Sequence, residues 1–190
     1  MVTPGAVSLV AISEANADRY RAGIGRVYEG VWKTDPDQTE GFLDRAFARH
    51  MGYPAFAGLV AVTQDDAAIG FTYGYRSEPG GWWHELVRPA LVANGAEAWL
   101  DDAFEFVELA VDPDWQGRGI GGRLHDALLG ERRERVALLS TAEGDTPAQA
   151  MYRGRGWVSL AEGFQYLPGG EPCSLLGLDL AAFRARRRGR

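Results

Sequence analysis

Apolar positions along this chain change period several times, and each change predicts an element. Residues 7–13, VSLVAIS, are a short, mostly apolar run, which predicts a buried strand. Tyr20, Ile24, Val27, Tyr28 and Val31 then recur at helical spacing, so one face of that helix must turn to a core or a pocket. After TDPDQ, a second helix is predicted by Phe42, Leu43, Ala46, Phe47 and His50, and GYP stops it. The runs FAGLVAVT and AAIGFTYGY flank the turn residues QDD and predict a β-hairpin. Residues 76–102 break the pattern and predict an irregular segment, with room for one short helix that Pro89 would cap or interrupt.

Beyond that segment the periods alternate. AFEFVELAV predicts a strand, residues 118–133 a helix, RVALLST a strand and residues 147–153 a short helix; WVSLAEGFQYL and CSLLGLDL predict two closing strands. This order predicts a mixed α/β (α+β) sheet with helices packed on it. No internal repeat or low-complexity linker interrupts it. A length of 190 residues with 46% hydrophobic content suits a single domain, expected over residues 1–183, ahead of a basic tail at 184–190.

Charge and composition remove several classes. A formal charge of -6 disfavours a nucleic-acid binder, because backbone affinity needs clustered cations that release counterions. The basic runs ERRER (131–135) and RARRRGR (184–190) are expected to be a solvated helix face and a frayed tail. One cysteine, Cys173, excludes an internal disulfide and a cysteine zinc cluster. Neither a charged n-region nor a long apolar stretch suggests export or a membrane span, so a cytoplasmic location is expected. His50, His84 and His125 are too scattered for metal-ligand spacing, and no metal is expected. No G-x-S-x-G elbow suggests a hydrolase.

The chemistry concentrates in DPDWQGRGIGGRLHDALLG, residues 112–130. Behind a strand and at a helix start, Gln116-Gly117-Arg118-Gly119-Ile120-Gly121 can offer successive backbone N–H groups and the positive end of a helix dipole to an anion. A glycine-rich turn that merely packs helix on strand is the plainer alternative. Gly117, Gly119 and Gly122 also satisfy the dinucleotide spacing G-x-G-x-x-G, with Glu143 about 20 residues on. That reading is disfavoured by the five residues, Pro113 among them, between Val111 and the first glycine, and by the unit's start past residue 100.

VELAVDPDWQGRGIGGRLHDALL resembles the acyl-coenzyme A binding segment of the GCN5-related N-acetyltransferase (GNAT) family, [Q/R]-x-x-G-x-[G/A], which Gln116, Gly119 and Gly121 match. A second segment about 35 residues on, TPAQAMYRGRGW, is similar to that family's A-x-x-x-Y-x-x-x-G-[F/W] pattern, with Ala148, Tyr152, Gly156 and Trp157 in register. The resemblance covers most of the chain and is weakest at residues 76–102. It implies a twisted mixed sheet of six to seven strands and acetyl-CoA as the donor. The main chain of Leu109, Ala110 and Val111 would pair with the pantetheine arm, and residues Gln116, Gly117, Arg118, Gly119, Ile120, Gly121 and Gly122 would hold the pyrophosphate. Ala148 and Tyr152 would complete the cofactor site. Where the family often has Asn ahead of the second helix this chain has Asp145, which would serve as a helix cap instead.

Direct amine acetylation needs a polarised thioester carbonyl, a base for the amine proton and an acid for the departing thiolate. By the resemblance, the amide of Leu109 or Ala110 would stabilise the carbonyl oxygen and Tyr152 would be the general acid, a phenol of ordinary pKa ~10 matched to a thiolate. Glu108 is the candidate base, since apolar neighbours on its strand would raise its pKa; Glu105, Glu143 or solvent are alternatives, and strand parity cannot decide if the strand is bulged. Tyr28, Trp32, Trp82, Trp83 and Glu85 are candidates for the acceptor pocket, with a hydrophobic lid the competing role for the two tryptophans. The acceptor would be a small-molecule amine or a peptide, and homodimers are common in the family. A non-catalytic acyl-CoA sensor and a dinucleotide-dependent oxidoreductase are the other classes carried forward.

Overall fold

The computed structural model describes residues 6–189. β1 (Ser8–Ile12) leads into α1 (Ala17–Trp32), α2 (Pro36–Gly41), a π-helical turn (Phe42–Phe47) and α3 (Ala48–Met51). β2 (Ala57–Val62) and β3 (Ala68–Arg76) follow, then α4 (Trp82–Ala93) and a 3₁₀ turn (Glu97–Leu100). β4 (Ala103–Val111), a 3₁₀ turn (Pro113–Trp115), α5 (Ile120–Gly130), β5 (Val136–Ala142), α6 (Pro147–Arg155), β6 (Val158–Phe164), β7 (Cys173–Asp179) and α7 (Leu180–Arg188) complete the order. The strands form a seven-stranded mixed sheet ordered β1-β2-β3-β4-β5-β7-β6. No helix among the described residues is long and apolar enough to cross a membrane.

The chain divides into two compact units, one made of the residues up to Tyr75 with Val107–Leu128, the other of Arg76–Phe106 with the residues from Leu129 on. In the first, β1 and β2 pair antiparallel with Val10 opposite Val60, and the predicted hairpin sets Val60 opposite Phe71 on β3. The helical stripe of α1 buries Tyr20, Ile24 and Val27 against Phe42, Leu43, Phe71 and Tyr73. Asp35 starts α2 with a capping box: its side chain accepts from the Gln38 amide at 2.8 Å, and the Gln38 side chain accepts from its amide at 3.1 Å. The single second helix predicted from periodicity is instead two α-helical pieces joined by the π-helical turn. That wider turn puts Phe42 and Phe47, five positions apart, both into the core.

In the second unit β4 runs parallel to β5 in the register Ala103↔Val136, Phe104↔Ala137, Glu105↔Leu138. β5 and β6 both pair antiparallel with β7, and register shifts follow Ser159 and Ala161 on β6. The one helix allowed in the irregular segment is α4, which continues through Pro89 instead of ending or breaking there. Pro89 lies on the exposed face, while His84, Val87 and Leu91 on the opposite face are buried, so packing holds the helix across the bond that proline cannot make. The basic run ahead of Gly189 is helical: the Asp179 carboxylate caps α7 by accepting from the Ala182 amide at 2.8 Å, and Arg184 donates to the Arg132 carbonyl at 2.5 Å.

Candidate active site

The candidate residues fall into two groups, one in each unit. In the first unit β4 leads towards the glycine loop. Val107 and Ala110, three apart, share one apolar cluster, while Leu109 and Val111 lie in another. A flat strand of period two cannot arrange this, so β4 carries the irregularity that sequence parity left open. The Thr72 hydroxyl of β3 donates to the Glu108 carbonyl at 2.7 Å, and the Asp112 amide donates to the Ile69 carbonyl at 2.9 Å. Gly70 permits the close approach of β3, because a Cβ there would lie 3.0 Å from the Ala110 carbonyl oxygen.

The loop beyond β4 is fixed at both ends. Asp112 accepts from the Asp114 amide at 2.9 Å, and the Gln116 side chain donates to the Val111 carbonyl at 2.9 Å. Gln116 thus ties the loop to the strand end. Arg118 donates to the Asp114 carbonyl at 3.0 Å with its guanidinium over the Trp115 ring, 4.9 Å from the centroid. Gly117 and Gly119 adopt φ of 72° and 77°, the left-handed region in which a side chain is strained. A Cβ at either would meet nothing within 4 Å, so it is backbone conformation and an open approach that call for glycine here. The Gly119 carbonyl accepts from the Arg123 amide at 3.0 Å, which makes Gly119 the N-cap of α5 and leaves the first helical amides without helix partners. The exposed loop and the helix start therefore offer the surface a phosphate group requires.

Glu108 is half-buried on the α1 side, where the Trp32 indole N–H donates to its Oε1 at 3.2 Å. Burial pushes its carboxyl from 4.5 up to about 7, against the opposing pull of the Trp32 indole and the Leu109 amide. The Leu109 N–H therefore faces the Glu108 carboxyl. Burial raises the Tyr28 and Tyr73 phenols, and the nearby Glu108 charge raises them further. Tyr28 stacks on Phe42 with centroids 3.8 Å apart, and Trp32 is exposed. Tyr73 was not singled out by sequence; its hydroxyl meets His50 Nδ1 at 3.2 Å, and burial lowers His50 to about 4. The buried TYGY stretch of β3, with its polar ring tips, was the available signal.

In the second unit Tyr152 lies on α6, buried, its ring edge-on to Phe106 and Trp157 at 6.4 and 5.6 Å. Ala148 is exposed one turn earlier. The helix is capped by Thr146, whose hydroxyl accepts from the Gln149 amide at 3.1 Å; Asp145, expected as the cap, instead pairs with Arg153 at 2.9 Å. Of the reserve bases, Glu105 accepts from the buried Ser77 hydroxyl at 2.8 Å, and Glu143 accepts from the Gly163 amide. Glu85 accepts from the Gly80 amide at 2.8 Å and so secures the start of α4. Trp83 donates to the Tyr166 hydroxyl at 3.0 Å, and Trp82 is 72% exposed.

Comparison with known proteins gives the family and the fold. The profile of the acetyltransferase (GNAT) family matches residues 24–157. A GCN5-like protein acetyltransferase of Mycobacterium tuberculosis is 33% identical over 120 residues, which are 59% of this chain and 58% of the relative. The match thus spans little more than half of that curated relative. Among solved structures, the ribosomal-protein-S18-alanine N-acetyltransferase of Escherichia coli superposes with a TM-score of 0.62 at 16% identity, over 92% of this chain and 94% of its own. A NatC complex bound to Gag peptide and CoA matches with a TM-score of 0.64 at 16% identity, over 91% of this chain and 98% of the other. At such identity the structural matches speak for the fold.

Proposed function

The chain belongs to the acetyltransferase (GNAT) family, and from that premise we propose that it moves an acetyl group from acetyl-CoA to the primary amine of a small molecule or peptide. The observation that carries the reading is Glu108, a carboxyl raised to about 7 beside Trp32, on the strand that feeds the glycine loop. A carboxylate of that pKa can accept a proton at neutral pH and return it to solvent.

The residues present fit the donor. Gly117 and Gly119 have the positive φ and open approach that a pyrophosphate cradle needs, with the start of α5 behind them. Residues 116–122 would hold the pyrophosphate, and the main chain of Leu109, Ala110 and Val111 would hold the pantetheine, with Ala148 and Tyr152 on α6 completing the set. Gln116 acts there by holding the loop to Val111. Acetyl-CoA supplies the acetyl group as a thioester and leaves as the thiol.

Glu108 takes the proton of the amine as the new C–N bond forms. Tyr152 gives its phenolic proton to the sulfur as the C–S bond breaks, and exchange with solvent restores both residues. A backbone amide of the β4 segment stabilises the carbonyl oxygen in between. Because the Leu109 amide faces the Glu108 carboxyl, Ala110 is the donor we favour for that task.

The test is thiol release from acetyl-CoA against a panel of amines, amino acids, polyamines and peptides. Turnover with at least one of them supports the proposal. Tight coenzyme A binding with no release across the panel would leave a non-catalytic acyl-CoA sensor.

A further inference from the structure

Tyr152 lies in the last turn of α6, where a nine-residue helix is most prone to fray, yet a proton donor has to be held to a fraction of an ångström. The chain that follows supplies the hold. The Trp157 amide donates to the Tyr152 carbonyl at 3.2 Å, and the Gly156 amide donates to the Arg153 carbonyl at 3.0 Å. With Gly156 in the left-handed region at φ 91°, these two bonds close a Schellman helix end. A Cβ at Gly156 would be strained by that backbone and would collide with the guanidinium of Arg186 on α7. The last turn is thereby pinned.

The same tryptophan returns to Tyr152 through its side chain. The Trp157 indole meets the Tyr152 ring edge-on at 5.6 Å, Phe106 of β4 meets it at 6.4 Å, and Phe106 and Trp157 meet each other at 6.2 Å. Each ring is edge-on to the other two, and all three are buried. Trp157 therefore grips Tyr152 at its carbonyl and at its ring. Without the ring contacts the side chain regains other staggered rotamers, and those carry the hydroxyl elsewhere.

We propose that Trp157 is the positioning residue for Tyr152, holding its hydroxyl where it can give a proton to the departing thiolate, with Phe106 as the second wall. This inference rests on the acetyltransferase reading, in which Tyr152 is the acid, and its test separates the two.

Thiol release from acetyl-CoA is measured with the best amine of the panel for the parent, Trp157→Leu, Trp157→Phe, Tyr152→Phe and the double variant Tyr152→Phe/Trp157→Leu. Trp157→Leu should lower kcat by about fivefold to tenfold, the size of one edge-on ring pair, with KM for acetyl-CoA little changed. Trp157→Phe returns an aromatic edge and should recover most of the loss. In the Tyr152→Phe background, Trp157→Leu should cost nothing further, because no proton is left to place. A loss of merely structural origin persists in that background and overturns the proposal. So does parental turnover in Trp157→Leu or in Tyr152→Phe. If Trp157→Leu does not fold, Phe106→Leu takes its place with the same expectations. Calorimetry gives a readout apart from turnover, by comparing coenzyme A with desulfo-coenzyme A, which lacks the sulfur that the hydroxyl meets. The parent should prefer coenzyme A by about twofold to threefold, as one hydrogen bond to a weak acceptor gives, and Trp157→Leu should bind the two alike. No preference in the parent, or one that survives Trp157→Leu, overturns the clamp. A preference lost in Trp157→Leu with no release by any amine keeps the clamp and removes the acetyltransferase reading, while release that Trp157→Leu leaves untouched does the reverse.

Discussion

At the scale of single residues, protonation of Glu108 bears on stability and, in the mechanism we propose, on rate. Its carboxyl titrates at about 7 in the fold and near 4.5 in a free chain, so the folded state favours the protonated form. The stabilisation is complete below about 4.5 and disappears as pH rises through about 7. Glu108→Gln should therefore gain melting temperature relative to the parent as pH rises across that window, with the gap flat above it. In activity, kcat/KM should climb with pH through about 7 in the parent and lose that limb in Glu108→Gln. An unchanged limb in the variant assigns the proton to water. His50 has the opposite sign: it is neutral in the fold down to about 4, so its contribution is lost as pH falls from 6.5 through that value. Tyr152→Phe keeps the edge-on ring packing with Trp157 and removes only the hydroxyl. Turnover should fall by about tenfold or more with little change in coenzyme A affinity, and equal turnover would take Tyr152 out of the proton transfer.

Elements decide how well those residues are presented. Gly119, the residue just ahead of α5, sits at φ 77°, where a residue with a Cβ costs roughly 1–2 kcal/mol. Gly119→Val should therefore lower stability by about that amount and, if the loop cradles a phosphate, weaken coenzyme A binding as well. Unimpaired coenzyme A affinity in that variant would remove the cradle from this loop. Thr146→Ala takes away the hydroxyl that accepts from the Gln149 amide and should cost about 1 kcal/mol in chemical denaturation. Asp145→Ala removes only an exposed ion pair and should be near neutral. The contrast between them checks which residue caps α6. These two neighbours were hard to rank from sequence, because both types favour helix starts and only the placed backbone tells which side chain reaches the amide.

For the whole molecule the question is which ligand the fold stabilises itself upon. A ligand that binds only the folded chain, at about 100 times its Kd, adds about 2.7 kcal/mol. Coenzyme A should therefore raise the melting temperature visibly and NADH should not. A shift with NADH alone would return the dinucleotide reading of Gly117, Gly119 and Gly122 to first place. The order of strands and helices was legible almost throughout, since binary periodicity reports which face of an element is buried, and the hairpin, the strand before the glycines and the closing strands all carry it strongly. Within residues 76–102 the short helix was legible but not its passage through Pro89, because proline ends a helix on local rules, whereas burial of His84, Val87 and Leu91 decides in the fold.

The sequence by itself determined the family and the location of its glycine loop, because both rest on local spacing: Gln116, Gly119 and Gly121 in one segment, Ala148, Tyr152, Gly156 and Trp157 in another. Tertiary structure alone decided what meets what. Glu108 faces Trp32, 76 positions away, through an irregularity in β4 that no period-two pattern reveals, and Trp83 finds Tyr166 across 83 positions. Hydrogen bonds and desolvation act between atoms that the fold brings together, and separation along the chain carries no record of them.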